Sequence, residues 1–155
     1  MDAVLTASRV LVSIAARSLA GLDEEVTIPQ FRSLVVIASR GPQGMGELAA
    51  ALAVTSSTAS RVCDRLEQKG LVRRRRDTSD RRYVLVALTA PGREMVDAVT
   101  QRRRVDIAKL VESVPTDARQ SVVDGLRQLA EAAGEVPEES WITAPQDSPP
   151  AAPRA

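Results

Sequence analysis

The sequence predicts a mainly α-helical fold carrying one small β-hairpin, and three observations lead there. Aromatic residues make up only 2% of the 155-residue chain, so the core must be assembled from Leu, Val, Ile and Ala, a set that suits helices better than a large sheet. Apolar residues recur at three- and four-residue spacing through most of the chain, and only two short runs have strand character. Gly21, Gly41-Pro42, Gly70, Pro115 and Gly134 punctuate those runs where helices should stop.

Residues from about 3 to 21 place Val4, Ala7, Leu11, Ile14 or Ala15, and Leu22 at helical spacing, with Gly21 as the stop. Thr27-Ile-Pro-Gln30 has the Thr-x-x-Gln form of a capping box, with Pro29 in the first turn. The helix behind it carries Phe31, Leu34, Val35 and Ala38 and ends near Gly41-Pro42. A short helix spans about 47–52, a tight turn falls at Ala53-Val54, and Thr55 N-caps a helix running to about Lys69. Ala59, Val62, Cys63 and Leu66 form the buried face of that helix, and Gly70 ends it. Short helix, tight turn and second helix have helix-turn-helix spacing.

Strand-like runs at 71–77 and 83–89 flank the polar segment Thr78-Ser-Asp-Arg-Arg82, and a hairpin placed directly behind the second helix is a wing. Thr89 caps a helix extending to about Val114, with Pro91 and Gly92 in its first turn. Its stripe runs through Val96, Val99, Arg103, Ile107, Leu110 and Val114 and is interrupted by the charged run 101–104. Pro115 breaks it, and a last helix at about 117–133 aligns Val122, Leu126, Leu129 and Ala133. From Gly134 the composition shifts to Pro, Ala, Glu and Ser, so residues 134–155 are expected to form a disordered tail.

Net charge is only +1, but it is unevenly distributed. From Arg61 to Arg82 there are nine basic and four acidic residues, a basic stripe on an otherwise mildly acidic chain. A helix entering a major groove needs small polar residues near its start and an arginine a turn further on. Thr55, Ser56, Ser57, Thr58 and Ser60, followed by Arg61 and Arg65, supply them. An ordinary amphipathic helix with a solvated face has the same features, so this helix alone leaves the choice open.

The wing carries more weight. Six arginines fall within residues 73–82, whereas protecting a strand edge takes one or two charges. Alternation sends neighbours to opposite faces, so two of Arg73–Arg76 face DNA, with Arg74 and Arg76 as candidates, and the others pair with Asp77, Asp80 or helix carboxylates. A tip arginine suits the negative potential of a minor groove.

These residues match a known pattern. Ser56-Ser-Thr-Ala-Ser-Arg-Val-Cys-Asp-Arg-Leu-Glu-Gln-Lys-Gly-Leu-Val72 resembles the recognition helix and exit of the MarR family, and Arg76-Asp-Thr-Ser-Asp-Arg-Arg82 resembles its wing. Leu88-Thr-Ala-Pro-Gly92 is similar to its Leu-Thr-x-x-Gly helix entry, and Gly46-Glu-Leu-Ala49 to the first helix of its helix-turn-helix. The resemblance implies a winged helix-turn-helix lobe at about 28–89 and a helical dimerisation region at about 3–21 and 92–133, together one domain over 1–133. It implies a homodimer that binds double-stranded DNA at a palindromic operator, usually as a repressor, and is released by a small lipophilic or phenolic effector. It also implies that Ser56, Ser57, Thr58 and Arg61 face bases or nearby phosphates, that Arg81 or Arg82 reaches the minor groove, and that Asp80 orients a wing arginine.

The residues support a dimer independently, because Val10, Leu11, Ile14 and Leu19 exceed what a small lobe could cover. The family's peroxide-sensing branch has its reactive cysteine in the first helix. Here Cys63 lies on the buried face of the recognition helix, where a free thiol is commonly an inert small hydrophobe; the alternative is a sensor whose oxidation would disturb that helix. An enzyme is not expected: there is no histidine, one cysteine cannot build a metal cluster, and Gly41-Pro-Gln-Gly-Met-Gly46 follows no strand and is better read as a helix connection. No cofactor or metal is expected. The remaining alternative is a winged-helix module that contacts protein and binds DNA weakly. With one cysteine and neither a signal peptide nor a membrane span, a cytoplasmic location is expected.

Overall fold

The computed structural model describes residues 1–20, 26–77, 80 and 82–141. The described chain runs α1 (Asp2–Leu19), α2 (Ile28–Arg40), β1 (Gln43–Gly44), α3 (Met45–Ala51), α4 (Ser56–Gln68), β2 (Val72–Arg76), β3 (Val84–Leu88), α5 (Ala90–Glu112) and α6 (Thr116–Ala132), followed by a 3-10 turn at Glu138–Ser140. Expectations for Gly21, Leu22, Thr78, Ser79, Arg81 and the tail beyond Trp141 lie outside the described residues. Among the described residues, those within 1–28 and 97–137 form one compact unit, and those within 29–96 and 138–141 form the other.

In the unit built around residues 29–96, the core is aliphatic apart from Phe31. Leu34, Val36 and Ile37 of α2, Leu48 of α3, Leu66 of α4 and Val86 and Leu88 of β3 are buried. Burial on α2 is wider than the expected stripe: Val35 is only half-buried, whereas Val36 and Ile37 are closed off. A helix enclosed on most sides loses the single apolar face that periodicity can detect. Ser33 is buried among these residues, and its hydroxyl donates to the Pro29 carbonyl at 3.0 Å.

The sheet has order β1-β3-β2, all antiparallel. Gln43 pairs with Val86 and Gly44 with Leu85, so the segment expected to be a plain helix connection also supplies a two-residue edge strand. Two residues are too few to show alternation. The N–H of Gly44 then donates to Glu47 Oε2 at 2.9 Å, which starts α3 two residues earlier than expected.

Both helices of the helix-turn-helix end in Schellman motifs. For α4, the Leu71 N–H bonds the Leu66 carbonyl and the Gly70 N–H that of Glu67, with Gly70 at φ +69°. For α3, the Val54 N–H bonds Ala49 and the Ala53 N–H bonds Ala50, but an alanine takes the left-handed position, at φ +53°. At the far end of the sheet, Thr89 Oγ1 accepts from the Gly92 N–H at 3.2 Å and donates to the Gly70 carbonyl at 2.6 Å. A Cβ on Gly92 would lie 2.0 Å from the Leu71 carbonyl oxygen. Glycine is therefore required where the start of α5 closes against the exit of α4.

In the other unit, α1 buries Ile14 and Ser18, whereas no residue of α6 is buried. Arg119 joins α5 to α6: its Nε donates to the Val114 carbonyl at 2.9 Å and its Nη2 to that of Glu112 at 2.6 Å. Carbonyls left over at the end of α5 are thereby satisfied. No helix among the described residues is long and apolar enough to cross a membrane.

Candidate nucleic-acid interface

The interface is built around α4. Thr55 is its N-cap, extended at φ −73° and ψ 153°, and its Oγ1 accepts from the Thr58 N–H at 3.3 Å. The same hydroxyl lies 3.0 Å from Ser57 Oγ and donates to Thr58 Oγ1 at 3.0 Å. Arg61 Nη2 donates to Thr58 Oγ1 at 3.4 Å. The first turn is thus a connected set of hydroxyls leading to the first arginine. Ala59, Cys63 and Leu66 anchor the opposite face. Ser57, Arg61 and Arg65, spaced i, i+4 and i+8, form one exposed stripe. Ser56 is exposed beside them, and Thr58 and Ser60 are half-buried.

Cys63 is 1% exposed, and burial pushes its thiol up to about 11 from 9.0. Arg74 lowers it somewhat and the Asp64 and Glu67 carboxylates raise it. The thiolate, which is the reactive form, is disfavoured there. These properties agree with the inert reading of Cys63.

The wing strands pair in the register Val72↔Leu88, Arg74↔Val86 and Arg76↔Val84. Arg74 and Arg76 therefore share the sheet face of the buried residues Val72, Val86 and Leu88, and Arg73 and Arg75 take the other face. Arg73 and Arg76 are exposed; Arg74 and Arg75 are half-buried. Arg74, grouped on sequence with the DNA-facing arginines, has its guanidinium engaged by two carboxylates of α4. Its Nη2 lies 2.5 Å from Asp64 Oδ1, and its Nη1 pairs with Glu67 Oε2. Its backbone N–H donates to Glu67 Oε1 at 3.1 Å. Hydrogen bonding to Asp64, ahead of the contribution of Glu67, holds the guanidinium still more firmly protonated than usual. This corrects the expected pairing of Arg74 and Arg76: alternation places both on one face, but the carboxylates of α4 lie within reach of only the first.

At the tip, Asp80 grips Arg82. The Arg82 N–H donates to Asp80 Oδ1 at 3.0 Å, its Nε to the same oxygen at 3.1 Å and its Nη2 to Oδ2 at 2.8 Å. The pair lowers the carboxyl pKa of Asp80 and raises that of Arg82. The Arg82 side chain remains 88% exposed, so it is oriented without being covered. The Asp77 N–H bonds the Tyr83 carbonyl, and the Tyr83 N–H bonds that of Asp80, closing the hairpin. Tyr83 itself is 64% exposed next to Arg82. It was not among the sequence candidates, because period-2 alternation assigns a face to a strand residue but does not show which face is solvated. Being the only tyrosine in the chain, on a charged hairpin, was the available signal.

The arrangement offers a row of hydroxyls and guanidinium groups on one helix and an oriented arginine on the adjoining hairpin, chemistry suited to base edges and phosphates. Comparison with known proteins agrees. The profile of the MarR family matches residues 26–84. The crystal structure of RV1404 from Mycobacterium tuberculosis is similar at 44% identity and a TM-score of 0.83, with 88% of this chain and 93% of that one covered. A MarR family protein from Bacillus stearothermophilus is similar at 25% identity and a TM-score of 0.76, with 86% and 92% covered. The HTH-type transcriptional repressor NicR of Pseudomonas putida is 36% identical over 77 residues, which cover 50% of this chain and 49% of NicR. With its helix-turn-helix, its wing and these relatives, the chain belongs to the MarR family of DNA-binding transcriptional regulators.

Proposed function

We propose that the protein is a homodimeric repressor that reads a palindromic operator with one α4 helix per half-site. The observation that carries this reading is the exposed Ser57-Arg61-Arg65 stripe, opposite a buried anchor face, beside a wing arginine held in position by Asp80. In the proposal Ser56, Ser57, Thr58 and Arg61 meet base edges and nearby phosphates, Arg65 and Arg76 meet phosphate, and Arg82 enters the minor groove. A dimer is supported by the apolar side chains that a single chain leaves in solvent, among them Leu5 and Leu11 of α1 and Leu126 and Leu129 of α6. A two-fold axis then sets the two α4 helices about one DNA turn apart, roughly 34 Å. The repressor role is supported by the name of its relative NicR. The proposed input is a small lipophilic or phenolic effector.

Selection of bound sequences from a random duplex pool tests the core of this reading. The expected product is a palindrome with half-sites about 10 base pairs apart. Its affinity should fall with salt by about 0.9 log units per log unit of salt for each phosphate neutralised. Binding with no sequence preference, or a monomer in solution, would instead fit a winged-helix module that contacts protein. An effector screen then asks which small aromatic acids or phenols release the selected duplex.

A further inference from the structure

We propose that Arg74 is a positioning residue for DNA recognition: its ion pairs with Asp64 and Glu67 set the angle between the wing and α4, and so where Arg82 at the wing tip arrives. The proposal rests on the reading of α4 and the wing as the DNA-binding elements. It adds that one arginine of the basic hairpin serves geometry and not charge.

The covalent link between the two elements is short and turns at a glycine. Helix α4 ends at Gln68, β2 begins at Val72, and Gly70 between them sits at φ +69°. Beyond Val72, which is buried and paired with Leu88, the strand rises by roughly 17 Å to Asp77, so a swing of about 10° carries the tip roughly 3 Å. That displacement exceeds the tolerance of any hydrogen bond. Arg74 ties the strand back onto the helix part-way along this lever.

The tie is made of three bonds. One guanidinium spans two carboxylates, Asp64 and Glu67, spaced i, i+3 on α4, and the Arg74 N–H also donates to Glu67. The Arg74 side chain is only 31% exposed, so the pairs are partly shielded from solvent. A planar fork with several donors can hold both carboxylates at once; an ammonium group is a single point charge and does so poorly. The two carboxylates are also costly for a helix meant to lie against phosphates. Together with Arg74 they leave one negative charge on the DNA-binding lobe, which electrostatic attraction alone does not explain.

This makes the sign of one experiment decisive. Asp64→Asn with Glu67→Gln removes two negative charges and keeps an acceptor for the Arg74 N–H. If Arg74 acts only through charge, the freed guanidinium and the lost carboxylates tighten operator binding. If it positions the wing, binding weakens by about tenfold, and Arg82→Ala in that background costs less than twofold further because the tip is already misplaced. Arg74→Lys, which keeps the charge, is expected to weaken binding in the same way. Tighter or unchanged binding, or a full Arg82→Ala penalty in the loosened background, overturns the proposal.

Without DNA, spin labels on Gln68→Cys and Tyr83→Cys should give a broader distance distribution in the double variant, and an unchanged distribution overturns the proposal as well. That readout stands even if the wild type binds no duplex, a result that would sink the function and not the brace. Should the double variant unfold, Asp64→Asn alone carries both measurements, with a loss of a few fold expected.

Discussion

The two units are made of the same aliphatic residues but treat them in opposite ways. In the helix-turn-helix unit, α2, α3, α4 and the sheet bury Leu34, Ile37, Leu48, Leu66, Val86 and Leu88. In the helical unit, Val4, Leu5, Val10 and Leu11 of α1, Val105 and Leu110 of α5, and Val122, Leu126 and Leu129 of α6 are exposed. These side chains recur at helical spacing on α1 and α6, yet nothing among the described residues covers them. At about 25 cal/mol for each Å² of apolar surface withdrawn from water, such stripes favour a second surface. One unit completes its core within the chain, and the other keeps apolar side chains exposed, which is the surface the proposed dimer would use.

The contrast can be broken most directly at its strongest point. Leu66→Ala, at a fully buried position on α4, is expected to cost about 2–5 kcal/mol of unfolding free energy, measured by denaturant titration. A loss below 1 kcal/mol would mean that the core of this unit is loosely packed. Leu126→Asp with Leu129→Asp on the exposed stripe of α6 should leave that core intact and weaken self-association by about 100-fold, roughly 2.7 kcal/mol. Sedimentation equilibrium reads this, and an undisturbed dimer would move the interface elsewhere.

Smaller effects sharpen the picture within α4. Arg61→Ala is expected to cost about 1–3 kcal/mol of operator affinity and to blur one operator position if Arg61 reads a base. Uniform weakening across sequences would make it a phosphate contact. Cys63 gives a pH signature. Its folded pKa is raised to about 11 from 9.0, so above pH 9 the unfolded chain loses the thiol proton first. Stability conferred by the neutral thiol is therefore intact below pH 9 and falls by roughly 1.4 kcal/mol per pH unit up to about 11. Cys63→Ala should remove that part of the alkaline slope in thermal unfolding, and an unchanged slope would show that the thiol is not shielded. The smallest change is expected at the turn: Ala53→Gly relieves a left-handed alanine and should stabilise the protein by about 1 kcal/mol at most. A loss of stability would mean that the alanine methyl is needed for packing.

Much of the candidate site was legible because its signals are local. Thr55 as N-cap, Gly70 as a left-handed stop and Thr89 as the entry to α5 each depend on residues within a few positions, so sequence spacing suffices to find them. The Asp80 grip on Arg82 spans only two residues, but it was the resemblance to the MarR family, not spacing, that pointed to it. Arg74 belongs to a different category. Its partners lie seven and ten residues upstream across a helix end and a turn, and no periodicity specifies how a strand folds back over a helix. The strand at Gln43–Gly44 is similar, since it exists only because β3 offers it an edge.

What the sequence determined on its own was therefore the order of the helices and the hairpin, the basic character of α4 and the wing, and the residues at several helix ends, among them Thr55, Gly70 and Thr89. All of these follow from short-range sterics and from hydrogen bonds between near neighbours. Only the tertiary structure decided which arginines face solvent, that Arg74 is held by two carboxylates, that Gly92 must lack a side chain and which apolar stripes are left uncovered. Those outcomes depend on which surfaces meet across long stretches of chain, and packing in three dimensions is what settles that.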